Sequence, residues 1–226
     1  MENQWGHSDY VAYNRYPNLD GIEYKIAKHL INSDTTHADL FWKILKYDTD
    51  NALTLDSVLK EDRKNLFNTG SSGDYTGKRL FITPHSDDAQ GDQCSSVYIY
   101  LDEITPVNAM ESVVTIAVDT CVYTKIGVVS WDYDDLLNPD SNPNEDARED
   151  TVLVPYKNRE SVLLKSILAE LNGTYLDGIG ELSFSNFGNV NAKVDRPSQQ
   201  KDKYFGHHII FTMRISGLST TPEVGF

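Results

Sequence analysis

The stretch "LLKSILAELNGTYLDGIGELSFSNFG", residues 163–188, predicts a helix that ends in a turn and returns as a strand. Apolar residues recur with the 3.6-residue period of a helix as far as Leu171. Gly173 follows, at the position where a left-handed C-terminal cap is expected. Leu182 and Phe184 then alternate with polar residues, as in a strand with one buried face. The stretch therefore predicts a helix that folds back so that the next strand joins a sheet.

Gly178 and Gly180, in the same stretch, raise the alternative of a phosphate-binding turn. Such a turn lies between a strand and the N-terminus of the helix that follows it. Here the glycines lie between the C-terminus of a helix and a strand, and that end of a helix carries partial negative charge. The order of the elements argues against a nucleotide site, and the glycines are interpreted as a turn.

Outside this stretch, apolar periodicity predicts three earlier helices and strands on both sides. The three earlier helices are residues 21–31, a helix capped by Thr36 and Asp39, and residues 54–67, and the helix of the quoted stretch spans residues 158–172. The predicted strands are 80–83, 95–101, 111–122, 181–185 and 207–215. Residues 105–108 are predicted to link two of these strands. Because most strands follow one another by hairpins, we predict a mainly antiparallel sheet flanked by helices, in the α+β class.

The whole chain, residues 1–226, is predicted to be a single domain. Its hydrophobic content of 39% and charged content of 24% are typical of a sequence that buries a core. The predicted segments are an N-terminal arm (1–18), a helical segment (19–70), a core of sheet and helix (78–131 and 157–217), an acidic loop (132–152) and a C-terminal tail (218–226). The acidic loop is interpreted as a solvated excursion of the chain.

The charge of the chain favours some classes of function over others. A formal net charge of -14 repels DNA phosphates and argues against general nucleic-acid binding. A conduit for DNA, by contrast, benefits from a wall to which DNA does not bind. The first residues show no secretory signal, and no apolar stretch approaches about 18 residues, so we expect no membrane span and a reducing cytoplasm.

Candidate chemistry is sparse in this sequence. His85, Asp87, Asp88 and Asp92 are close enough along the chain to suggest a divalent-metal site, although a polar loop between strands needs the same residues. No Gly-x-Ser-x-Gly elbow is present. No cysteine has a histidine nearby in the chain. The sequence therefore predicts no catalysis, no cofactor and no metal.

Two pairs of residues complete the list of reactive side chains. Cys94 and Cys121 do not form a C-x-x-C pair, so they are predicted to be buried thiols and not zinc ligands. His207 and His208 are adjacent in a predicted strand and so point to opposite faces. One is expected to face the core or an interface and the other the solvent.

Aromatic residues are concentrated in the N-terminal arm, which has no helical or strand period. Two alternatives remain for them. The arm folds over its own domain, or it docks on a neighbouring subunit. The aromatic residues are Trp5, Tyr10, Tyr13 and Tyr16.

Four segments resemble virion proteins of tailed bacteriophages, of the neck (head–tail connector) or tail-terminator kind. In those proteins a helix ends in Leu-Asn-Gly, and Gly-Ile-Gly-x-Leu-x-Phe opens the next strand. The segments that carry the resemblance are "SVLLKSILAELNGTYLDGIGELSF" (161–184), "CSSVYIYLDEITPVN" (94–108), "VVTIAVDTCVYTKI" (113–126) and "GIEYKIAKHLINSDTTHADLFWKIL" (21–45). The acidic loop is longer than the family leads us to expect.

The resemblance implies a compact α+β subunit of a ring, usually six-fold, at the head–tail junction of the virion. The ring would join the head connector to the tail, contact neighbouring neck, connector or tail proteins, and let genome DNA pass without sequence-specific binding. It would be made in the cytoplasm of the bacterial host. We expect subunit contacts at Trp5, Tyr10, Tyr13, Tyr16, Asp132, Asp134, Asp135 and Phe226.

Two other classes of function remain as alternatives. The first is another virion assembly protein, such as a tail-tube, baseplate or head-decoration protein; a tube protein should show a long hairpin of alternating residues. The second is an enzyme that uses a metal bound by His85, Asp87 and Asp88. The sequence does not separate a neck protein from a tail terminator.

Overall fold

The computed structural model describes residues 21–68, 75–84, 93–108, 111–130, 156–176, 180–195 and 203–216. These ranges contain four helices and a large mixed, curled sheet, so the predicted α+β class is confirmed. The predicted arm, acidic loop and tail, and the residues of the suggested metal site, lie outside the described ranges. No helix within these ranges has the length and apolar character needed to cross a membrane.

Along the described part of the chain, three helices are followed by six strands, a fourth helix and five further strands. The helices are α1 (Ile22–Asn32), α2 (Thr36–Lys46), α3 (Lys60–Leu66) and α4 (Arg159–Leu171), with 3-10 turns at Ala52–Thr54 and Thr124–Ile126. The strands are β1 (Phe67–Asn68), β2 (Leu80–Phe81), β3 (Ser95–Asn108), β4 (Glu111–Tyr123), β5 (Val128–Ser130), β6 (Tyr156–Asn158), β7 (Thr174–Leu176), β8 (Gly180–Ser183), β9 (Lys193–Asp195), β10 (Tyr204–Phe205) and β11 (His208–Ser216).

The main sheet is ordered β1-β2-β3-β4-β11-β8-β7, with β10 also paired to β4 and β9 to β11. The pairs β1–β2 and β2–β3 are parallel and the other pairs of this sheet are antiparallel. Strands β5 and β6 form a separate antiparallel pair. The mainly antiparallel sheet is therefore as predicted.

The core lies between one face of this sheet and the helices. Alternation along β3 places Val97 and Ile99 in the core, whereas Tyr98 lies on the other face with Phe81 and Cys121. Cys94 and Cys121 are buried free thiols, also as predicted. The core side chains from the helices include Ile26, Leu30, Phe41, Ile44, Leu163, Ile167 and Leu171, and those from the sheet include Val114, Ile116, Val118, Leu182, Phe211 and Met213.

The helix of the quoted stretch forms as predicted, but residues 174–176 form a strand, β7, that was not predicted, and β8 ends at Ser183, before Phe184. The side chain of Asn158 accepts a hydrogen bond from the backbone N–H of Glu160 (2.9 Å) and so caps α4. Gly173 has φ 80°, and its N–H donates to the carbonyl of Leu182 (2.8 Å). Leu182 is fully buried, so the turn places the next strand in the core.

The third helix is shorter than the predicted span of 54–67, because an arginine binds the segment before it. Arg63 Nε donates to the carbonyl of Val58 (2.8 Å), and its Nη1 donates to the carbonyls of Ile31 and Ser33. Leu59, which lies within the predicted helix, is extended and 70% exposed. Phe67, predicted to end the helix, begins β1.

The prediction that residues 105–108 form a link is also wrong, because β3 continues to Asn108. Its register against β4 shifts between Leu101 and Glu103 and again between Pro106 and Asn108. Strand β2 pairs only with Val97 and Tyr98 of β3. Proline has no N–H to donate and is tolerated where a strand lies at an edge, so the residue that suggested a turn is compatible with this strand.

Arg159, at the start of α4, joins three separate parts of the fold. It is fully buried, and its guanidinium donates to the carbonyls of Ile44 and Tyr47 (2.9 and 2.7 Å) at the end of α2. It also donates to the carbonyls of Thr49 (2.6 Å) and Ile126 (2.8 Å). Burial lowers the pKa of Arg159, and the nearby Asp48 carboxylate opposes that effect.

Replacing Arg159 by methionine should lower the free energy of unfolding by about 3 kcal/mol or more, because each buried carbonyl left without a donor costs about 1–3 kcal/mol. Urea denaturation would measure the change. Lys165→Met, on the exposed face of the same helix, is the matched control and should change stability little. Equal stability of Arg159→Met and wild type would contradict the joining role of Arg159.

Gly173 should tolerate asparagine better than alanine, because asparagine adopts left-handed backbone more readily. We expect Gly173→Ala to cost about 1–2 kcal/mol of unfolding free energy and Gly173→Asn to cost less. Thermal and urea unfolding of the two variants would measure the order. Equal costs would show that the left-handed cap is not what the glycine provides.

Candidate interaction surface

The site residues predicted from the sequence lie outside the described ranges. This applies to the aromatic residues of the arm, to the acidic loop, to Phe226 and to the suggested metal ligands His85, Asp87 and Asp88. Within the described part of the chain, no group of three His, Cys, Asp or Glu side chains could hold a metal ion. The predicted contacts therefore stay predictions, and the described residues offer other candidates.

Exposed tyrosines mark the two ends of the strand order. Tyr175 lies on the terminal strand β7 and is 71% exposed. Tyr24, on α1, is 50% exposed, and its ring lies 6.0 Å from the ring of Phe67 on the other terminal strand, β1. Among the described residues, neither terminal strand has a partner strand on its outer side. Tyrosine is enriched in protein interfaces, so both ends are candidate contacts.

Both ends are poorly suited to strand addition. Strand β7 has three residues and β1 has two, and short edge strands are a usual protection against edge-to-edge pairing. The edge of β3 is protected in other ways: it carries Pro106 and two register shifts, and the N–H of Leu101 donates to the side chain of Glu23 on α1 (3.2 Å). Contacts at these ends would therefore use side chains more than backbone.

A tyrosine, an aspartate and a histidine form a chain of hydrogen bonds on the sheet face opposite the main core. The Tyr100 hydroxyl donates to one Asp119 oxygen (2.9 Å), and His208 Nδ1 lies 2.5 Å from the other. The side chains of Asp119 and His208 are 14% and 24% exposed. The bond to Asp119 raises the pKa of His208 above its ordinary value, and burial, with Asp119 beside it, raises the pKa of Tyr100.

His207 points to the other face, as the sequence predicts. Its Nδ1 lies 2.7 Å from Glu160 Oε1 in the first turn of α4, and its backbone N–H donates to the Thr120 hydroxyl (2.8 Å). Both side chains are partly exposed, 18% for His207 and 24% for His208, and a carboxylate from a neighbouring element lies against each ring. Together His207 and His208 tie the start of β11 to a helix on one face and to β4 on the other.

These pairs lack the arrangement needed for nucleophilic catalysis. His208 Nδ1 is hydrogen-bonded to a carboxylate and His207 Nδ1 lies 2.7 Å from one, and no hydroxyl or thiol in the described ranges is bonded to either ring. A nucleophile must lie within hydrogen-bond reach of its base. What the Asp119–His208 pair can do chemically is to hold a proton at the imidazole of His208.

A cavity of about 410 Å³ lies at the other end of β11. Arg214 lines it, with its guanidinium 6.0 Å from the Phe187 ring and 2.5 Å from Glu111 Oε1. The remaining lining residues are Thr105, Pro106, Val107, Val113, Gly188, Asn189 and Val190. The cavity is mostly apolar, with one paired charge at its wall.

Comparison of the chain with models of protein families and with curated proteins finds no match. The described geometry defines an α+β fold with exposed aromatic side chains at both ends of one sheet.

The sequence gives partial evidence for the site residues that were not predicted, namely Asp119, His208 and Tyr175. Asp119 is an acidic residue inside an otherwise apolar, β-branched strand, and a charge in such a place needs a partner. Its partner His208 is distant in the chain, so the pairing itself could not be inferred. Tyr175 could not be recognised as an end residue, because the strand order of the sheet is not visible in the sequence.

Asp119→Asn should lower the pKa of His208 towards 6.5, because it removes the carboxylate that stabilises the imidazolium. The measurement is an NMR titration of the histidine ring signals, with Lys165→Met as a variant that leaves the cluster intact. An unchanged His208 titration in Asp119→Asn would contradict the described bond.

Proposed function

We propose that this chain is a structural subunit of a tailed-bacteriophage virion ring at the head–tail junction, a neck or tail-terminator protein without catalysis. The sequence resemblance of residues 21–45, 94–126 and 161–184 supports the proposal. The structural observation that carries it is the pair of different exposed tyrosine surfaces at the two ends of the sheet. A closed ring of identical copies needs two different surfaces on each copy, since its contacts are head-to-tail.

The two surfaces are also complementary in charge. Lys28 lies one helical turn after Tyr24 on α1 and is exposed. Glu181 lies opposite Tyr175 on β8 and is also exposed. A lysine at one end and a glutamate at the other favour contact between unlike ends over contact between like ends.

The charge of the chain agrees with the proposed place of the ring. A net charge of -14 would give a channel to which DNA does not adhere. The acidic residues Asp132, Asp134 and Asp135 are proposed contacts of the ring with its neighbours or its lumen. The neighbours would be connector, neck or tail proteins, and the mature location would be the virion.

A tail-tube protein is the second candidate, because the structure contains a long hairpin. Strands β3 and β4 have 14 and 13 residues and are joined through residues 109–110. However, β4 is paired to β11 over residues 111–119, so the hairpin lies within the sheet. An arm that stacks one ring on the next would have to project from the sheet, and this favours the junction ring.

The purified chain should form closed rings of about six copies. Tyr175→Ser and Tyr24→Ser should each reduce the ring fraction, because each removes an exposed aromatic contact. Native mass spectrometry over a range of concentrations, with negative-stain images, would measure both.

Leu59→Ser is the matched control, since Leu59 is equally exposed but lies before α3 and not on a terminal strand. It should leave the rings intact. A chain that is monomeric at every concentration would contradict a self-assembling ring. Rings that persist in the double tyrosine variant would show that other surfaces form the contact.

A further inference from the structure

The cavity beside Arg214 lies on the face of the sheet opposite the main core. Val113 of β4 and Arg214 of β11 line it and are paired in the sheet. Their neighbours in the two strands, Val114 and Met213, lie in the core, so alternation places Val113 and Arg214 on the other face. Residues 187–190, a turn closed by two backbone hydrogen bonds, form another part of the wall. The volume of about 410 Å³ is within the range of ligand pockets, which begins at about 300 Å³.

The wall of the cavity combines apolar surface with one cation. Pro106 and Val107, near the end of β3, are apolar and exposed, Val107 to 54%. The side chain of Arg214 is 55% exposed, and its Nη2 lies 2.5 Å from Glu111 Oε1. A guanidinium has five N–H donors, so one carboxylate leaves donors for a second acceptor. An occupant with apolar side chains and a carboxylate close together in its chain matches this wall.

The chain leaves the sheet beside this cavity. Strand β11 ends at Ser216, two residues after Arg214 and opposite Glu111 in the register. The ten residues that follow, 217–226, lie outside the described ranges, and their sequence is GLSTTPEVGF. Gly217 permits a sharp turn of the backbone at this point. Ten residues span at most about 35 Å when fully extended, so the segment is long enough to reach the whole cavity wall.

The sequence of this segment has the chemistry that the wall favours. Glu223 is its one charged side chain, and the apolar residues Val224 and Phe226 follow within three positions. Pro222 restricts the backbone before Glu223, which lowers the conformational entropy lost on binding. The carboxylate of Glu223 is opposite in charge to Arg214, and an aromatic side chain gains most from burial in an apolar cavity.

We propose that residues 222–226 bind in the cavity of their own chain. The Phe226 side chain packs against the apolar part of the wall, and the Glu223 carboxylate binds Arg214. A short tether gives such a segment an effective concentration on the order of 1 mM, whereas the same segment of another copy is present only at the protein concentration. The tether therefore favours the segment of the same chain.

The bound segment would cover the exposed apolar end of β3. Exposed apolar surface next to a cavity promotes non-specific association, and a segment of the same chain prevents it. Phe226 would then contact its own subunit, in place of the subunit contact that the sequence resemblance leads us to expect. This inference does not depend on the proposed ring.

Cleavage by a glutamate-specific protease tests the proposal, because Glu223 is a cleavage site within the proposed contact. The full native chain is compared with a synthetic peptide of residues 217–226, and the release of residues 224–226 is followed by mass spectrometry. Cleavage follows the unbound fraction of the segment, so we expect the chain to be cut after Glu223 about tenfold more slowly than the peptide. Equal rates would overturn the proposal.

Variants assign the protection to the cavity. Arg214→Gln removes the cation, and Val107→Ser removes exposed apolar surface without a change of charge, so each should raise the cleavage rate towards that of the peptide. Lys193→Gln removes an exposed cation outside the cavity wall and is the matched control, with the slow cleavage of wild type. Protection that survives in both Arg214→Gln and Val107→Ser would place the segment elsewhere and overturn the proposal. Protection that disappears on dilution would show binding to another copy and would also overturn it.

Discussion

The hydrogen bonds of Arg159 are the interaction on which the rest of the fold depends. One buried guanidinium satisfies carbonyls at the end of α2, in the segment after it and in the turn before β5. Because Arg159 is the first residue of α4, these bonds also set where that helix begins and how it lies on the sheet. The helix leads directly into β7 and β8. The pairing of β7 with β8 then places Tyr175 at the end of the sheet.

Short sequence patterns predict the elements that depend on interactions between residues close together in the chain. The asparagine cap, the apolar period and Gly173 predict α4, and the β-branched run predicts β4. The predictions are wrong where a contact with a residue distant in the chain determines the structure. Arg63 binds the carbonyl of Val58 and shortens α3 from its N-terminal side. The place of β3 at an edge of the sheet makes Pro106 compatible with a strand, and neither fact is visible in the order of the residues.

The candidate site could be predicted less well than the fold for the same reason. The unlike ends of the sheet, and the row formed by Asp119, His208 and Asp195, exist only once the strand order is known. In our proposal the exposed tyrosines at the two ends of the sheet contact neighbouring copies, whereas the row at the start of β11 lies within the sheet.

The central claim is that copies of this chain meet through unlike ends of the sheet. It is tested most directly by mixing equal amounts of Tyr24→Ser and Tyr175→Ser chains and weighing the complexes by native mass spectrometry. In such a mixture the intact Tyr175 end of one variant can bind the intact Tyr24 end of the other, but the contact cannot continue. The account predicts a one-to-one mixed dimer that neither variant forms alone. Dimers formed by each variant by itself, or no mixed dimer, would contradict it.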